Sequence, residues 1–143
     1  MIAKGKAVSH GQTVIEYVLR EKKLDRFVEK NLLTSETAGD ILQEMKWAQQ
    51  YNSRCKNKFL RFEIGIAPGD KDKLTKLQLR AIAKDFANRM GLEKHQWFAV
   101  THKDSKNLHI HLIANRIGIN GKVYQTDFVS NRASRTAEEI SRE

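Results

Sequence analysis

The sequence predicts an α+β fold in which an antiparallel sheet carries helices on one of its faces. Segments in which apolar residues alternate with polar ones are interleaved with segments that have helical periodicity. Several strand segments are joined by stretches short enough for hairpins, which favours antiparallel pairing. A sheet of this kind buries one face under helices and leaves the other face open for a ligand. The length of 143 residues predicts a single domain, residues 1–143.

The first half of the chain predicts five elements. In order these are a strand over 1–8, a helix over 11–21, a segment over 24–33 that fits either a strand or an irregular arm, a helix over 36–52, and a strand over 58–67. Ser9 is a suitable N-cap for the first helix. The last strand alternates strictly, since Leu60, Phe62 and Ile64 are separated by polar residues or glycine. A turn at 67–70 is expected to end it.

The second half predicts a helix, three strands and a last helix. In order these are a helix over 76–90, strands over 96–102 and 108–117, a short strand over 122–125, and a helix over 132–141. Thr75 and Gln78 form a capping-box pattern, and Gly91 is suited to follow the helix end. The two strands are joined by a five-residue polar loop, which predicts a hairpin. The last helix is cut short, so the chain is expected to belong to a longer protein.

The charge balance favours an acidic partner. Lysine and arginine total 26 against 17 acidic residues, a formal charge of +9. Nucleic acid is the leading candidate, and a basic protein with no such partner is the alternative. No apolar run is long enough to span a membrane, and the first residues lack the core of a signal peptide. One cysteine, Cys55, excludes an internal disulfide framework and favours a reducing compartment.

Three histidines are the strongest indication of a functional site. His109 and His111 are two residues apart on a predicted strand, so they point to the same face, opposite the core. His102 ends the preceding strand, and the hairpin brings it back beside them. Surface histidines on a half-exposed strand are the alternative. Three imidazoles on one open face predict a site for a divalent cation that keeps open coordination positions.

These residues belong to a segment that resembles a known family. Residues 102–116, HKDSKNLHIHLIANR, resemble the third motif of conjugative relaxases, the mobilisation nucleases of the HUH endonuclease superfamily. Residues 13–19, TVIEYVL, are similar to their first motif, which carries a nucleophilic tyrosine. Residues 62–70, FEIGIAPGD, are similar to their second motif. The three motifs occur in the family's order, and the likeness is greatest to mobilisation proteins of Bacteroides-like bacteria.

The resemblance implies a ferredoxin-like or palm-like fold and an enzyme that nicks and rejoins one DNA strand at a transfer origin. Tyr17 would attack the scissile phosphate and form a 5′-phosphotyrosyl intermediate. The three histidines would hold Mg²⁺ or Mn²⁺, which stabilises charge in the transition state. Glu63 would accept the tyrosine proton or orient a ligand histidine, and Asp104 would also orient a histidine or shape the hairpin loop.

Tyr17 also stands out by its position on the predicted helix. At 100° per residue it lies roughly 130° from the centre of the apolar stripe formed by Val14, Ile15, Val18 and Leu19. A tyrosine that serves only as core packing is expected inside that stripe. Tyr124 is the fallback nucleophile.

The resemblance also implies contacts with DNA and with other proteins. The candidate DNA-binding residues are Lys22, Lys23, Arg61, Asn115 and Arg116. The expected partners are transfer-origin DNA, accessory mobilisation proteins and a coupling protein, and the expected location is the bacterial cytoplasm. Two alternatives are a non-catalytic module that binds single strands by charge and stacking, and a related replication-initiator or transposase nuclease.

Overall fold

A computed structural model describes residues 1–20, 24–67, 74–103 and 107–143. Its strands are β1 (Ile2–Val8), β2 (Leu24–Asn31), β3 (Phe59–Ile66), β4 (Trp97–Lys103) and β5 (Leu108–Asn115). Its α-helices are α1 (Gly11–Val18), α2 (Ala38–Gln49), α3 (Lys76–Arg89) and α4 (Val129–Ser141). A short 3₁₀ turn, Gln50–Asn52, continues from α2.

The strands form one antiparallel sheet in the order β1-β3-β5-β4-β2. β4 and β5 pair as the predicted hairpin, with His102 opposite His109. β5 lies at the centre, and β1 and β2 form the edges. The predicted α+β class with an antiparallel sheet is confirmed.

The first face of the sheet is covered by α3 and α4. The alternating apolar residues of β3 and β5, including Phe62 and Ile110, pack here against Phe86 of α3 and Ala133 of α4. All four of these side chains are fully buried. Most of the core therefore lies on this side of the sheet.

The second face, which the sequence predicts to be free of helices, is covered in part. α1 and α2 pack over the half of it that carries Phe59, Phe98, Val100 and Ile113. The other half carries polar side chains, among them His109, and holds the open area that the sequence predicts. Strand alternation places Leu108, Ile110, Leu112 and Ala114 of β5 on the first face, and His109, His111 and Ile113 on the second.

Several boundaries differ from the predicted ones. α1 starts at Gly11 as predicted, but His10 rather than Ser9 is at the N-cap position, and the helix ends at Val18 rather than near residue 21. The segment over 24–33, for which the sequence allows a strand or an irregular arm, contains the strand β2, whose pairing with β4 has register shifts. The expected strand over 122–125 is reduced to a single bridge, Ile117 to Val123. α4 starts at Val129, three residues earlier than predicted; Phe128 before it is in the left-handed conformation, and Val129 is buried in the core.

Other local expectations are confirmed. Thr75 and Gln78 form both hydrogen bonds of the capping box at the start of α3. Gly91 follows α3 with φ +79°, a conformation that glycine adopts at little cost. The turn expected at 67–70 lies mostly outside the described residues. Of the described helices, none combines the length and the apolar character needed to cross a membrane.

Candidate active site

The three histidines lie together on the second face, as predicted. Their strands are neighbours, since His102 of β4 is opposite His109 of β5. The ring centroids of His102 and His111 are 4.2 Å apart, and those of His109 and His111 are 6.4 Å apart. His102 and His111 are buried, and His109 is partly exposed. The cluster is therefore reached from solvent on the His109 side.

His102 is fixed by a hydrogen bond to the end of α1. Its Nε2 lies 2.7 Å from the carbonyl oxygen of Val18, the last residue of the helix. A carbonyl oxygen only accepts, so Nε2 carries the hydrogen and Nδ1 carries the lone pair. The same bond satisfies one of the carbonyls that a helix end leaves without an intrahelical partner. One nitrogen of His102 is thereby available to bind a cation.

Glu63 joins the cluster from β3. It is opposite His111 in the sheet register, and its Oε1 lies 3.4 Å from Nδ1 of His109. Its Oε2 lies 3.7 Å from Nζ of Lys4 on the edge strand. The carboxylate therefore lies between a histidine of the cluster and a lysine of β1. Of the two roles expected for Glu63, orientation of a histidine is the one that these contacts support.

Tyr17 lies at the margin of the histidine cluster. Its ring centroid is 6.1 Å from that of His102, with the two rings tilted by 60°. The guanidinium carbons of Arg61 and Arg20 lie 5.7 Å and 5.9 Å from the centroid of the tyrosine ring. α1 places the ring there because the buried residues on the opposite side of the helix pack against the sheet.

The donor set of the cluster suits a divalent transition-metal ion. Three imidazoles supply nitrogen ligands, whereas Mg²⁺ prefers oxygen ligands and water. In the part of the chain that the structure describes, no three His, Cys, Asp or Glu side chains are already arranged around a common metal position. With metal–nitrogen distances of about 2.1 Å, rotation of the imidazoles would be needed to point three lone pairs at one ion. The three histidines are therefore suitable ligands for a divalent transition-metal ion, but their rings are not oriented to bind one in this structure.

The predicted contact between Asn115 and DNA disagrees with the structure. Asn115 was expected to contact DNA, but its side chain is fully buried beneath α2. Its amide nitrogen donates to the carbonyl oxygen of Met45 at 2.9 Å and to Oε1 of Gln96 at 3.0 Å. Its amide oxygen accepts from Gln49 at 3.2 Å. Asn115 therefore joins α2 to the sheet and does not reach a surface where DNA would bind.

Arg116 and Tyr124 are also engaged in the fold. Arg116 donates from Nε to the carbonyl oxygen of Tyr124 at 2.9 Å. It lies five residues beyond His111, the nearest histidine of the cluster along the chain, which is about 17 Å along an extended strand, so its backbone is remote from the cluster. Tyr124 is buried, and its hydroxyl donates to the carbonyl oxygen of Met90. Neither residue is placed to act on a phosphate at the histidines.

The remaining candidates are Lys22, Lys23 and Asp104, which lie outside the described residues. Sequence reasoning did not single out Arg20 as a neighbour of Tyr17, or Lys4 as the partner of Glu63. A helical spacing of three residues between Tyr17 and Arg20 was a signal for the first contact. The second depends on the pairing of β1 with β3, which the sequence does not reveal.

Comparison with known proteins identifies the family. The family model for "Relaxase: MobA/VirD2-like, nuclease domain" matches residues 17–143. A solved structure described as the MobM relaxase domain (MOBV; Mob_Pre) bound to 26-nucleotide pMV158 oriT DNA has a similar fold, with a TM-score of 0.58. The similarity covers 98% of this chain and 82% of that chain, at 15% identity. No curated protein sequence matches the chain.

The family model decides between the functional alternatives raised by the sequence. A non-catalytic binding module and a replication-initiator or transposase nuclease are both set aside by it. Neither match indicates a Bacteroides-like source. Since the match extends from Tyr17 through the histidine cluster to the last residue, the chain belongs to the MobA/VirD2-like relaxases as a nuclease domain, an enzyme that nicks DNA at a transfer origin.

Proposed function

We propose that Tyr17 is the nucleophile of the nicking reaction. Its hydroxyl oxygen would form a bond to the scissile phosphorus, and the bond from phosphorus to the 3′-oxygen would break. The tyrosine hydroxyl gives up its proton as it attacks, and the leaving 3′-oxygen takes up a proton, so the products are a 5′-phosphotyrosyl bond and a 3′-hydroxyl. Attack by a 3′-hydroxyl reverses the step and rejoins the strand. One phosphodiester replaces another, so the reaction needs no nucleotide energy source.

The observation that carries this proposal is the set of groups around the Tyr17 ring. His102 lies on one side, and the guanidinium groups of Arg61 and Arg20 lie within 6 Å of the ring centroid. Cations beside a phenol and a phosphate stabilise the negative charge that both carry in the transition state. Arg61 remains a candidate DNA contact because it reaches both the tyrosine and the open face.

The three histidines are the residues that would hold a divalent cation. His102 keeps Nδ1 available through its bond to Val18, and Glu63 orients His109 so that Nε2 is available. A bound cation would supply Lewis-acid stabilisation of the non-bridging phosphate oxygens. The nitrogen donors favour Mn²⁺ or another transition-metal ion over Mg²⁺.

Roles for Lys22, Lys23 and Asp104 stay predictions. Accessory mobilisation proteins, a coupling protein and a bacterial cytoplasmic location also stay predictions. Binding of transfer-origin DNA is supported by the family and by the +9 charge of the chain.

The Tyr17→Phe variant tests the nucleophile. It keeps the ring and its packing and removes the attacking oxygen, so it should bind an origin-derived single strand within several-fold of the parent. It should form no denaturation-resistant adduct with DNA and should not relax supercoiled origin plasmid in the presence of Mn²⁺. Tyr124→Phe is the matched control and should still form the adduct. An adduct in Tyr17→Phe, with peptide mass spectrometry locating it elsewhere, would refute the assignment.

The His109→Ala/His111→Ala double variant tests the cation site. Two of three nitrogen ligands are lost, so Mn²⁺ affinity measured by calorimetric titration should fall below detection while the circular dichroism spectrum is retained. The matched control is His10→Ala, which removes an exposed histidine at the start of α1. Unchanged Mn²⁺ affinity in the folded double variant would show that the cluster does not bind the ion.

A further inference from the structure

A groove runs along the edge strand β1 beside the histidine cluster. One part of it has a volume of about 340 Å³, and its lining is Lys4, Gly5, Lys6, Arg61, Glu63 and Ser130. An adjoining hollow of about 210 Å³ is lined by Ile2, Ala3, Lys4, Glu63, Gly65 and His109. Lys4 and Glu63 line both parts, so the two hollows adjoin along the stretch from His109 to Lys6.

The sheet register places the lysines of this groove on the same face as the histidines. Lys4 is opposite Glu63 and Lys6 is opposite Arg61, while Glu63 is in turn opposite His111. Directly opposed residues project from the same side of a sheet. β1 is two strand spacings from β5, about 10 Å. Lys4 and Lys6 therefore lie one strand beyond Arg61 and Glu63, within reach of a ligand that also touches the cluster.

The charges in the groove favour an anion. Lys4, Lys6 and Arg61 face the carboxylate of Glu63, which is also close to His109. Lys6 and Arg61 are directly opposed like charges, an arrangement that destabilises a sheet when nothing lies between them. An alternative explanation for Lys4 and Lys6 is that lysines on an edge strand discourage edge-to-edge aggregation. That explanation does not account for Arg61, which lies directly opposite Lys6. A bound anion would offset the repulsion.

We propose that this groove binds the backbone phosphates of the single strand next to the nicked position, with Lys4, Lys6 and Arg61 as the contacts. The inference rests on the proposed function, because it takes the scissile phosphate to lie between Tyr17 and the histidines. Arg61 links the two regions, since it lines the groove and also lies over the Tyr17 ring. The strand would leave the cluster along β1.

The test uses the salt dependence of DNA binding in the Tyr17→Phe background, where no covalent bond forms. The probe is a fluorescein-labelled oligothymidylate, followed by fluorescence anisotropy over a range of salt concentrations. Each phosphate contact on a single strand contributes about 0.7 to the slope of log K against log salt. Lys4→Gln/Lys6→Gln should therefore reduce the magnitude of the slope by about 1.4.

A charge-matched control separates the groove from net charge. Lys84→Gln/Lys94→Gln removes the same charge from two exposed positions, one on α3 across the sheet and one in the turn before β4. It should leave the slope unchanged, and Lys4→Arg/Lys6→Arg should keep the parent slope. Equal slopes for the two glutamine double variants would overturn the proposal.

Failure of the groove and failure of the mechanism give different results. Suppose that Lys4→Gln/Lys6→Gln and Lys84→Gln/Lys94→Gln give the same salt slope, while the parent protein with Tyr17 intact forms the DNA adduct normally. That result would refute the groove and leave the role of Tyr17 standing. A slope change as expected, together with an adduct mapped to another tyrosine, would refute the role of Tyr17 and retain the groove as a DNA-binding surface.

Discussion

His95 is buried beside the end of β5, and its environment favours the neutral ring. Burial lowers the pKa of His95, and the hydrogen bond between its Nδ1 and the carbonyl oxygen of Asn115, at 2.7 Å, opposes that effect only in part. The carbonyl accepts, so Nδ1 carries the hydrogen and a second proton would have to enter at Nε2. The folded protein therefore resists protonation where the unfolded chain does not.

This difference predicts a loss of stability in mild acid. As the pH falls below about 6.5, the unfolded chain takes up a proton at this histidine and the folded protein does not, so the free energy of unfolding decreases. The decrease from this site is at most about 1.4 kcal/mol per pH unit until the folded-state pKa is reached. This loss of stability is measured by urea unfolding, followed by tryptophan fluorescence, between pH 7.5 and pH 5.5, which is roughly one unit on either side of the unfolded-chain pKa of about 6.5.

The matched variant is His95→Gln, which does not titrate and keeps an N–H that is able to reach Asn115. Its free energy of unfolding should fall less steeply over the same pH range than that of the parent. Parallel pH profiles for the two proteins would show that His95 is not the source of acid sensitivity.

At single positions, the sequence predicts which face of a strand a side chain is on, but not whether that position is exposed. Alternation along β5 correctly placed His109 and His111 on one face, because two-residue periodicity is a local property of a strand. The same alternation puts Asn115 on that face, and the family resemblance implied that it contacts DNA. Whether a position on that face is open depends on α2, which packs over the Asn115 end through contacts distant in sequence.

At the scale of elements, regular segments were predicted well and irregular ones were not. β3 and α3 have unbroken periodicity, and α3 has a complete capping box, so both were located within about two residues. β2 was ambiguous because its pairing with β4 shifts register between Leu24 and Arg26 and again between Phe27 and Glu29. Such irregularities break the two-residue pattern on which a strand prediction depends.

The start of α1 shows a second kind of limit. Ser9 has the preferred residue type for an N-cap, yet the helix begins after His10 and has no side-chain cap. Gly11 is the first helical residue, and a side chain there would meet the ring of Phe59 on β3. The predicted start at residue 11 is therefore right and the predicted cap is wrong, because packing of Gly11 against Phe59, a tertiary contact, holds the helix start without a side-chain cap.

At the scale of the whole molecule, the groove depends on two elements from opposite ends of the described chain. α4 packs against β1, and Ser130 of α4 accepts a hydrogen bond from the backbone nitrogen of Gly5 at 3.3 Å. Ala133 of α4 is fully buried in the core that also contacts Ala3 and Ala7 of β1. β1 has a strand partner on one side alone, so α4 supplies much of its remaining support.

Ala133→Asp is predicted to loosen β1 and weaken the DNA groove together. A buried uncharged polar group without a partner costs roughly 2–7 kcal/mol, and the aspartate side chain, surrounded by the apolar core, would take up a proton and so fall in this range. The free energy of unfolding in urea should fall by an amount in that range. Hydrogen exchange followed by mass spectrometry should show lost protection in β1 while β4 and β5, at the centre of the sheet, keep theirs.

Ser134→Asp is the matched control, because it introduces the same side chain at the next residue of α4, where the side chain is exposed. It should change the free energy of unfolding by less than about 0.5 kcal/mol and leave the exchange of β1 unaltered. If Ala133→Asp lowers protection evenly through all five strands, α4 and β1 unfold with the rest of the sheet. If protection is lost in β1 alone, the edge strand that carries Lys4 and Lys6 is a separately unfolding unit held by α4, and DNA affinity should fall in parallel with its protection.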